Sequence, residues 1–360
     1  MLPQSYHTEL ESPTINGSGG IFPFAVLAEW LVAPVRLALL ELAIYIELPD
    51  IIKHTNDLPG IAARLNTSRL DKLTYLLDAL VASGMLQKEN GRYRNAEFAE
   101  NYLRKGQKAY LGELLLSLKD MQHRNIHQLK DFLFEDCEPI HSSQTLYGED
   151  HWKRSARGIA EYQKAGAADA MATIVASLPK AETFHCMLDL GSGPGITALR
   201  ILQRLLGLHI VLCDFPHVLQ LAEQEINAAG MCERVSFIPG DYNCLDWGRN
   251  FDLIWACQSL YFANDLQHFM GRVFASLNPG GLFVSIHEGV CCENTKPAML
   301  ILSRLSLALE GQDVSFPKGR IAEAAAKAGF IRVQKASLPM LYGDADLEVF
   351  QKPSSMEAVC

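Results

Sequence analysis

The stretch Cys186-Met187-Leu188-Asp189-Leu190-Gly191-Ser192-Gly193-Pro194-Gly195 decides how this chain is read. An apolar, strand-forming run passes directly into a loop with glycine at every other position. Such a loop between a strand and a helix lets a ligand approach the backbone, with the helix N-terminal amides turned toward an anionic group. Two ligand classes use it. A dinucleotide fingerprint, GxGxxG, needs a third Gly or Ala for close helix–strand packing, and that place holds Ile196. Here the glycines run GxGxG through Gly191, Gly193 and Gly195, with an acid, Asp189, two residues ahead.

The acid-x-Gly-x-Gly-x-Gly form is the one that accommodates the methionine moiety of S-adenosylmethionine (SAM), and it needs no room for a pyrophosphate. Residues further along agree with it. Asp214 ends the next apolar run, 25 residues after Asp189, where a carboxylate can accept both ribose hydroxyls. An Asp there suits NAD equally, so it indicates a nucleoside without choosing the cofactor. Gly240-Asp241-Tyr242 follows a third run, where Asp241 can accept from an adenine amino group and Tyr242 can cover the ring. Taken alone, Asp241 is an ordinary turn carboxylate. Leu277-Asn278-Pro279-Gly280-Gly281 counts mainly by position. Five short runs, Met187–Leu190, Ile210–Cys213, Val235–Ile238, Leu253–Ala256 and Leu282–Ile286, alternate with helical stretches. That alternation predicts a parallel sheet covered on both faces, an α/β domain.

Upstream the periodicity is helical. Leu27–Ile46 has apolar residues at helical spacing, stopped by Pro49, and reads as a buried helix or pair of helices. Thr55 or Asn56 can open a second helix through Ile61 and Leu65. Ser68 caps a third, with Leu70, Leu73, Leu76, Leu77, Leu80 and Val81 on one face and Gly84 as its stop. Two strand-like pieces then flank Asn90-Gly91, the strongest short hairpin signal. Helix, helix, helix, hairpin is the order of a winged helix. As a DNA reader it is poorly equipped, since the third helix sets Arg69 and Lys72 against Asp71 and Asp78. Dimerisation is the better use of that fold. The division expected is a loose arm over residues 1–20, a winged-helix-like domain over 21–115, a helical connector over 116–180 and a cofactor domain over 181–353.

Composition narrows the partners. The 360 residues are 49% hydrophobic with a formal net charge of −9, which argues against nucleic acid. Nine cysteines lack CxxC pairs, and no secretory leader or long apolar span is legible, so the expected setting is a reducing cytoplasm away from membranes. His123 and His127 stand four apart on a predicted helix but have no third ligand in view, so no metal is expected.

On these motifs the sequence resembles the plant-type, hydroxyindole-O-methyltransferase-like family of class I methyltransferases. The likeness rests on Leu76-Leu77-Asp78-Ala79-Leu80, Gly84-Met85-Leu86, Tyr93-Arg94-Asn95 and Ala99-Glu100-Asn101-Tyr102-Leu103 in the first part. In the second it rests on Leu188 to Gly195, Asp214-Phe215-Pro216, Gly240-Asp241 and Ala328-Gly329-Phe330, and it covers residues 25–352. The resemblance implies a SAM-dependent methyltransferase of small, hydrophobic or aromatic acceptors, with a seven-stranded Rossmann-like sheet ending in an antiparallel strand near Leu347–Phe350. It also implies a homodimer through the N-terminal domain, and an acceptor pocket between the domains roofed by helices around Met299–Leu309. Phe215 and Cys257 fall at cofactor-contacting positions.

One departure affects the chemistry. Where family O-methyltransferases carry a catalytic His in a Leu-His-x-Trp segment, this chain reads Ser259-Leu260-Tyr261-Phe262, so Tyr261 takes the base's place. His287 and Glu288, after the fifth run, are the other catalytic candidates, although a solvated strand end explains them equally. O-methylation remains the first reading and C-methylation the second. Readings from other classes are a non-catalytic SAM- or DNA-binding regulator and an NAD-dependent oxidoreductase, the latter disfavoured by Ile196.

Overall fold

The computed structural model describes residues 25–134, 149–311, 315–341 and 343–354. The arm expected over residues 1–20 lies outside them. The chain divides into two compact units, one ending at Ala96 and the other beginning at Glu97.

The first unit runs α1 (Ala25–Tyr45), α2 (Leu48–His54), α3 (Leu58–Arg64), α4 (Leu70–Ala82), then a hairpin of β1 (Leu86–Glu89) and β2 (Arg92–Asn95). Pro49 does not stop a helix but sits in the first turn of α2, where its missing N–H costs nothing. The cap of α3 is Asp57, whose carboxylate accepts from the Gly60 N–H at 2.8 Å, and not Thr55 or Asn56. Arg69, not Ser68, occupies the cap position of α4 and makes no side-chain cap bond. In the hairpin both turn residues have positive φ, 50° at Asn90 and 73° at Gly91, as a two-residue turn requires. Ile61, Leu77, Leu80 and Tyr93 form the core of the unit. The start of α1 is not buried as its composition suggested: Trp30 is 75% and Leu31 79% exposed, with Val35 beside them.

The second unit opens with helices α5 (Glu97–Tyr102), α6 (Gly112–Gln122), α7 (Leu129–Phe134), α8 (Glu149–Tyr162) and α9 (Ala168–Ala176). Then follow β3 (Cys186–Leu190), α10 (Ile196–Arg204), β4 (His209–Asp214), α11 (Pro216–Ala228), β5 (Val235–Pro239) and β6 (Phe251–Cys257). The chain continues through α12 (Leu266–Ser276), β7 (Leu277–His287), α13 (Ala298–Leu309), α14 (Arg320–Lys327), β8 (Ile331–Met340) and β9 (Gly343–Gln351). Seven strands form one sheet in the order β5-β4-β3-β6-β7-β9-β8. The five strands β5, β4, β3, β6 and β7 pair in parallel, and β9 pairs antiparallel with both β7 and β8.

Strand periodicity distributes the core over two faces. Met187, Ile210, Leu212 and Trp255 face α9, α10 and α11, whereas Leu188, Leu190, Ile254 and Ala256 face α12 and α14. Because β3 is paired on both edges and covered on both faces, the chain can leave it only at the end, into the glycine loop. No helix among the described residues is long and apolar enough to cross a membrane.

The last strand closes the second layer. Phe350, 1% exposed, stacks 5.9 Å from Phe283 and 6.3 Å from Phe330. Phe350→Ala should cost about 3–5 kcal/mol, the range for an aromatic removed from a close-packed core. Urea denaturation checks this, as a lowered midpoint at unchanged slope.

Candidate active site

The glycine loop is held by its neighbours at the carboxyl ends of β3, β4 and β6. Gly191, Gly193 and Gly195 all have positive φ, at 72°, 59° and 74°. Gly191 is also constrained by space, since a Cβ there would lie 2.5 Å from the Ser259 Cβ. The Gly191 N–H donates to the Cys213 carbonyl at 2.9 Å, and the Gly193 N–H donates to Asp214 Oδ2 at 2.8 Å. Asp214 Oδ1 accepts from the Phe215 N–H at 2.7 Å. The carboxylate of Asp214 therefore shapes the loop and faces the same space.

That space is a cavity of about 340 Å³ lined by Asp189, Asp214 and Asp241 at one end and by apolar side chains including Leu114, Met121, Ile159, Met171 and Leu341. No lysine, arginine or histidine appears among its described lining residues. The two loop acids are under electrostatic stress. Burial, and then the neighbouring Asp214 charge, pushes Asp189 up to about 8. Burial pushes Asp214 up to about 6 despite its two backbone donors. Asp241 Oδ1 accepts from the Asn243 N–H at 2.8 Å and from its side-chain amide at 2.9 Å, which closes a tight turn against the cavity.

Of the expected cofactor residues, Asp189, Gly191, Gly193, Asp214, Phe215, Asp241, Tyr242 and Cys257 line this one cavity, and Gly195 stands behind them as the N-cap of α10. Tyr242 is not free to cover a ring. Its hydroxyl donates to the Ser259 carbonyl at 2.6 Å, and its ring packs edge-on to Phe269. Phe215, 6.0 Å from Trp152, presents an aromatic face instead. Burial pushes the Cys257 thiol far up, so it stays protonated.

The three catalytic candidates lie together but not among the cavity-lining residues. His287 Nε2 accepts from the backbone N–H groups of Ser259 at 3.1 Å and Leu260 at 3.0 Å. Its proton therefore sits on Nδ1, 2.9 Å from Ser285 Oγ. Burial, with Arg304 nearby, pushes this imidazole down to about 3, so it stays neutral. With its lone pair engaged, His287 caps the turn after β6 and is not the free base considered from sequence. The Tyr261 hydroxyl accepts from the Glu288 N–H at 2.8 Å and donates to Glu288 Oε2 at 2.6 Å. Burial, and then the Glu288 charge, pushes this phenol far above its ordinary value. Arg304 lies 4.3 Å over the ring. Glu288, which reads in sequence as a solvated strand end, is fully buried.

Sequence reasoning missed other parts of the wall: Trp152 and Tyr162 of α8, Gln163 just after it, and Gln258, Ser259 and Phe262 after β6. The helix residues carry no motif, since their role depends on where α8 lies in space. Arg272 was missed too. It donates to the carbonyls of Tyr242 and Asn243 at 2.9 Å each and stacks on Trp247, so it fixes the Asp241 turn from outside the cavity.

Comparison with known proteins follows the same division of the chain. Residues 34–105 match the O-methyltransferase dimerisation domain and residues 187–281 match the methyltransferase domain. A 3-hydroxy-5-methyl-1-naphthoate 3-O-methyltransferase from Streptomyces sahachiroi is 26% identical over 190 residues, which is 52% of this chain and 53% of that protein. The chain thus spans about half the length of that curated relative. An O-methyltransferase family protein from Burkholderia thailandensis shares the fold with a TM-score of 0.75 at 21% identity, over 93% of this chain and 100% of that one. The human N-acetylserotonin methyltransferase, solved with SAM, shares it with a TM-score of 0.74 at 19% identity, over 94% and 99%. The dimerisation domain precedes the methyltransferase domain, and the glycine loop lies inside the latter. The chain thus carries an O-methyltransferase dimerisation domain followed by a methyltransferase domain.

Proposed function

We propose that this protein is a SAM-dependent methyltransferase that acts as a homodimer on a small, largely apolar acceptor, with a hydroxyl oxygen as the first candidate for methylation. The observation that carries this is the clustering of Asp189, Asp214 and Asp241 around one cavity whose described lining offers no cation. A nucleoside bearing a sulfonium and an ammonium satisfies that donor set. A pyrophosphate would meet three carboxylates. Relatives named for a naphthoate and for N-acetylserotonin support an aromatic acceptor.

In this reading Asp214 accepts the ribose hydroxyls and Asp241 the adenine amino group. Phe215 offers the base an apolar face, and the Gly191–Gly195 backbone admits the methionine end beside Asp189. The cofactor, when bound, supplies a methyl group already activated on sulfur. The chain's own residues bind, orient and exclude water. Leu114, Met121, Met171 and Leu341 keep the far end of the cavity apolar, where holding a nucleophile in line accounts for much of the rate. His287, Glu288 and Tyr261 act from behind, by fixing the turn that carries Cys257 to Phe262. C-methylation is the second reading, favoured by the lack of a free imidazole in the described lining.

Asp214→Ala should weaken SAM binding at least about tenfold by calorimetry, the scale for losing a charge-assisted acceptor. Unchanged affinity would remove the ribose assignment. Asp189→Asn should stabilise the ligand-free protein, with an advantage in Tm that grows as pH rises from 5 toward 8. The sign follows from a folded pKa raised above the unfolded one: the wild-type protein loses stability as pH climbs through that window. A constant difference across the window would contradict the raised value. The assembly is read by sedimentation, where the wild type should run as a dimer. Trp30→Asp with Val35→Asp, on the exposed start of α1, should yield monomer or insoluble protein.

A further inference from the structure

Gln258 is the cavity residue with the most unusual backbone. It follows β6 directly and lines the cavity, and its φ is 55° although it is not glycine. That conformation is unfavourable for a residue with a side chain and persists only where the surroundings enforce it. Here two bonds do so. The Gln258 N–H donates to the Ile286 carbonyl at 2.9 Å, and its side-chain Nε2 donates to Glu288 Oε1 at 2.7 Å. Tyr261 donates to the other oxygen of the same carboxylate at 2.6 Å.

This chain removes an ambiguity that amides ordinarily have. With Glu288 Oε1 accepting from its Nε2, the Gln258 amide is turned nitrogen-first toward that carboxyl, and its oxygen points elsewhere. That oxygen has no hydrogen-bond partner among the described residues, on a half-buried side chain in the cavity wall. An amide oxygen accepts from O–H and N–H groups. It repels a carboxylate.

We propose that Gln258 recognises the methyl acceptor, its amide oxygen taking a hydrogen bond from an uncharged hydroxyl or N–H group of that molecule, and that Glu288 and Tyr261 are positioning residues that set which way the amide points. The acceptor class is then a neutral hydroxy- or amino-arene rather than one bound through a carboxylate. This rests on the methyltransferase reading above, because it places Gln258 beside the cofactor end of the cavity. A residue that merely braced the turn would also be strained and bonded to Glu288, so the test must read ligand preference and not stability.

Two probes of like shape supply that reading. The protein, saturated with S-adenosylhomocysteine, is titrated calorimetrically at pH 7 with 2-naphthol, a neutral donor, and with 2-naphthoate, an anion. The wild type should bind 2-naphthol at least about tenfold more tightly. Gln258→Leu should bring the two within about twofold, and Glu288→Gln, which frees the amide to rotate, should lower the preference in part. Adding Glu288→Gln to Gln258→Leu should change nothing further, since Glu288 acts through Gln258. Tyr261→Phe should move the preference in the same direction as Glu288→Gln and replaces that variant if it does not fold. A wild type without the preference, including one that binds neither probe, overturns the proposal, as does a preference that survives Gln258→Leu. Failure of the wild type to bind S-adenosylhomocysteine would defeat the methyltransferase reading and this inference with it.

Discussion

The cavity depends on one close packing contact, Ser259 against Gly191. Ser259 occupies the volume that any side chain at residue 191 would need, so the loop after β3 and the turn after β6 can meet only because one of them is glycine. From that position Ser259 is bonded on every side. Its hydroxyl donates to the Leu190 carbonyl at 2.7 Å, its N–H donates to His287, and its carbonyl accepts from Tyr242. Four separate segments of the sheet's carboxyl edge are thereby tied to one residue. A shift of any of them would move the loop glycines relative to Asp214 and Asp241.

The electrostatics follow from how that edge is packed. Asp189 sits inside the sheet and cannot be hydrated, and Asp214 lies close enough to raise it further. The protein tolerates this at one end of the cavity while its catalytic candidates are all satisfied internally, with His287 neutral and the Tyr261 hydroxyl closed onto Glu288. The acidic loop end of the cavity and the closed, hydrogen-bonded cluster behind the turn after β6 are therefore separate features.

Much of this was legible without coordinates. The strand runs Met187–Leu190, Ile210–Cys213, Val235–Ile238, Leu253–Ala256 and Leu282–Ile286 all fall inside observed strands, because short apolar runs bounded by turn residues leave a direct trace in sequence. The Asn90-Gly91 hairpin was legible for the same reason. Capping was less so: Asp57 won over Thr55 and Asn56 because only its carboxylate reaches the Gly60 N–H. Burial of α1 was misread because composition reports how apolar a helix is, not whether its own chain supplies enough surface to cover it.

The sequence by itself determined the glycine-loop end of the cavity. The glycines and three aspartates there sit at strand ends, and a strand end is defined by local pattern, so spacing along the chain suffices to find them. Only the tertiary structure decided the other end. Whether Tyr261, His287 and Glu288 reach the cavity depends on where their polar atoms point. That is set by partners such as Ser285, Gln258 and the backbone of Ser259 and Leu260, which lie on different strands or on the turn between them. Hydrogen bonds of this kind are chosen by proximity in space, and no spacing within one segment encodes them. The same holds for Trp152 and Tyr162, which become cavity wall only because α8 packs across the carboxyl edge of a sheet whose first strand begins more than twenty residues after that helix ends.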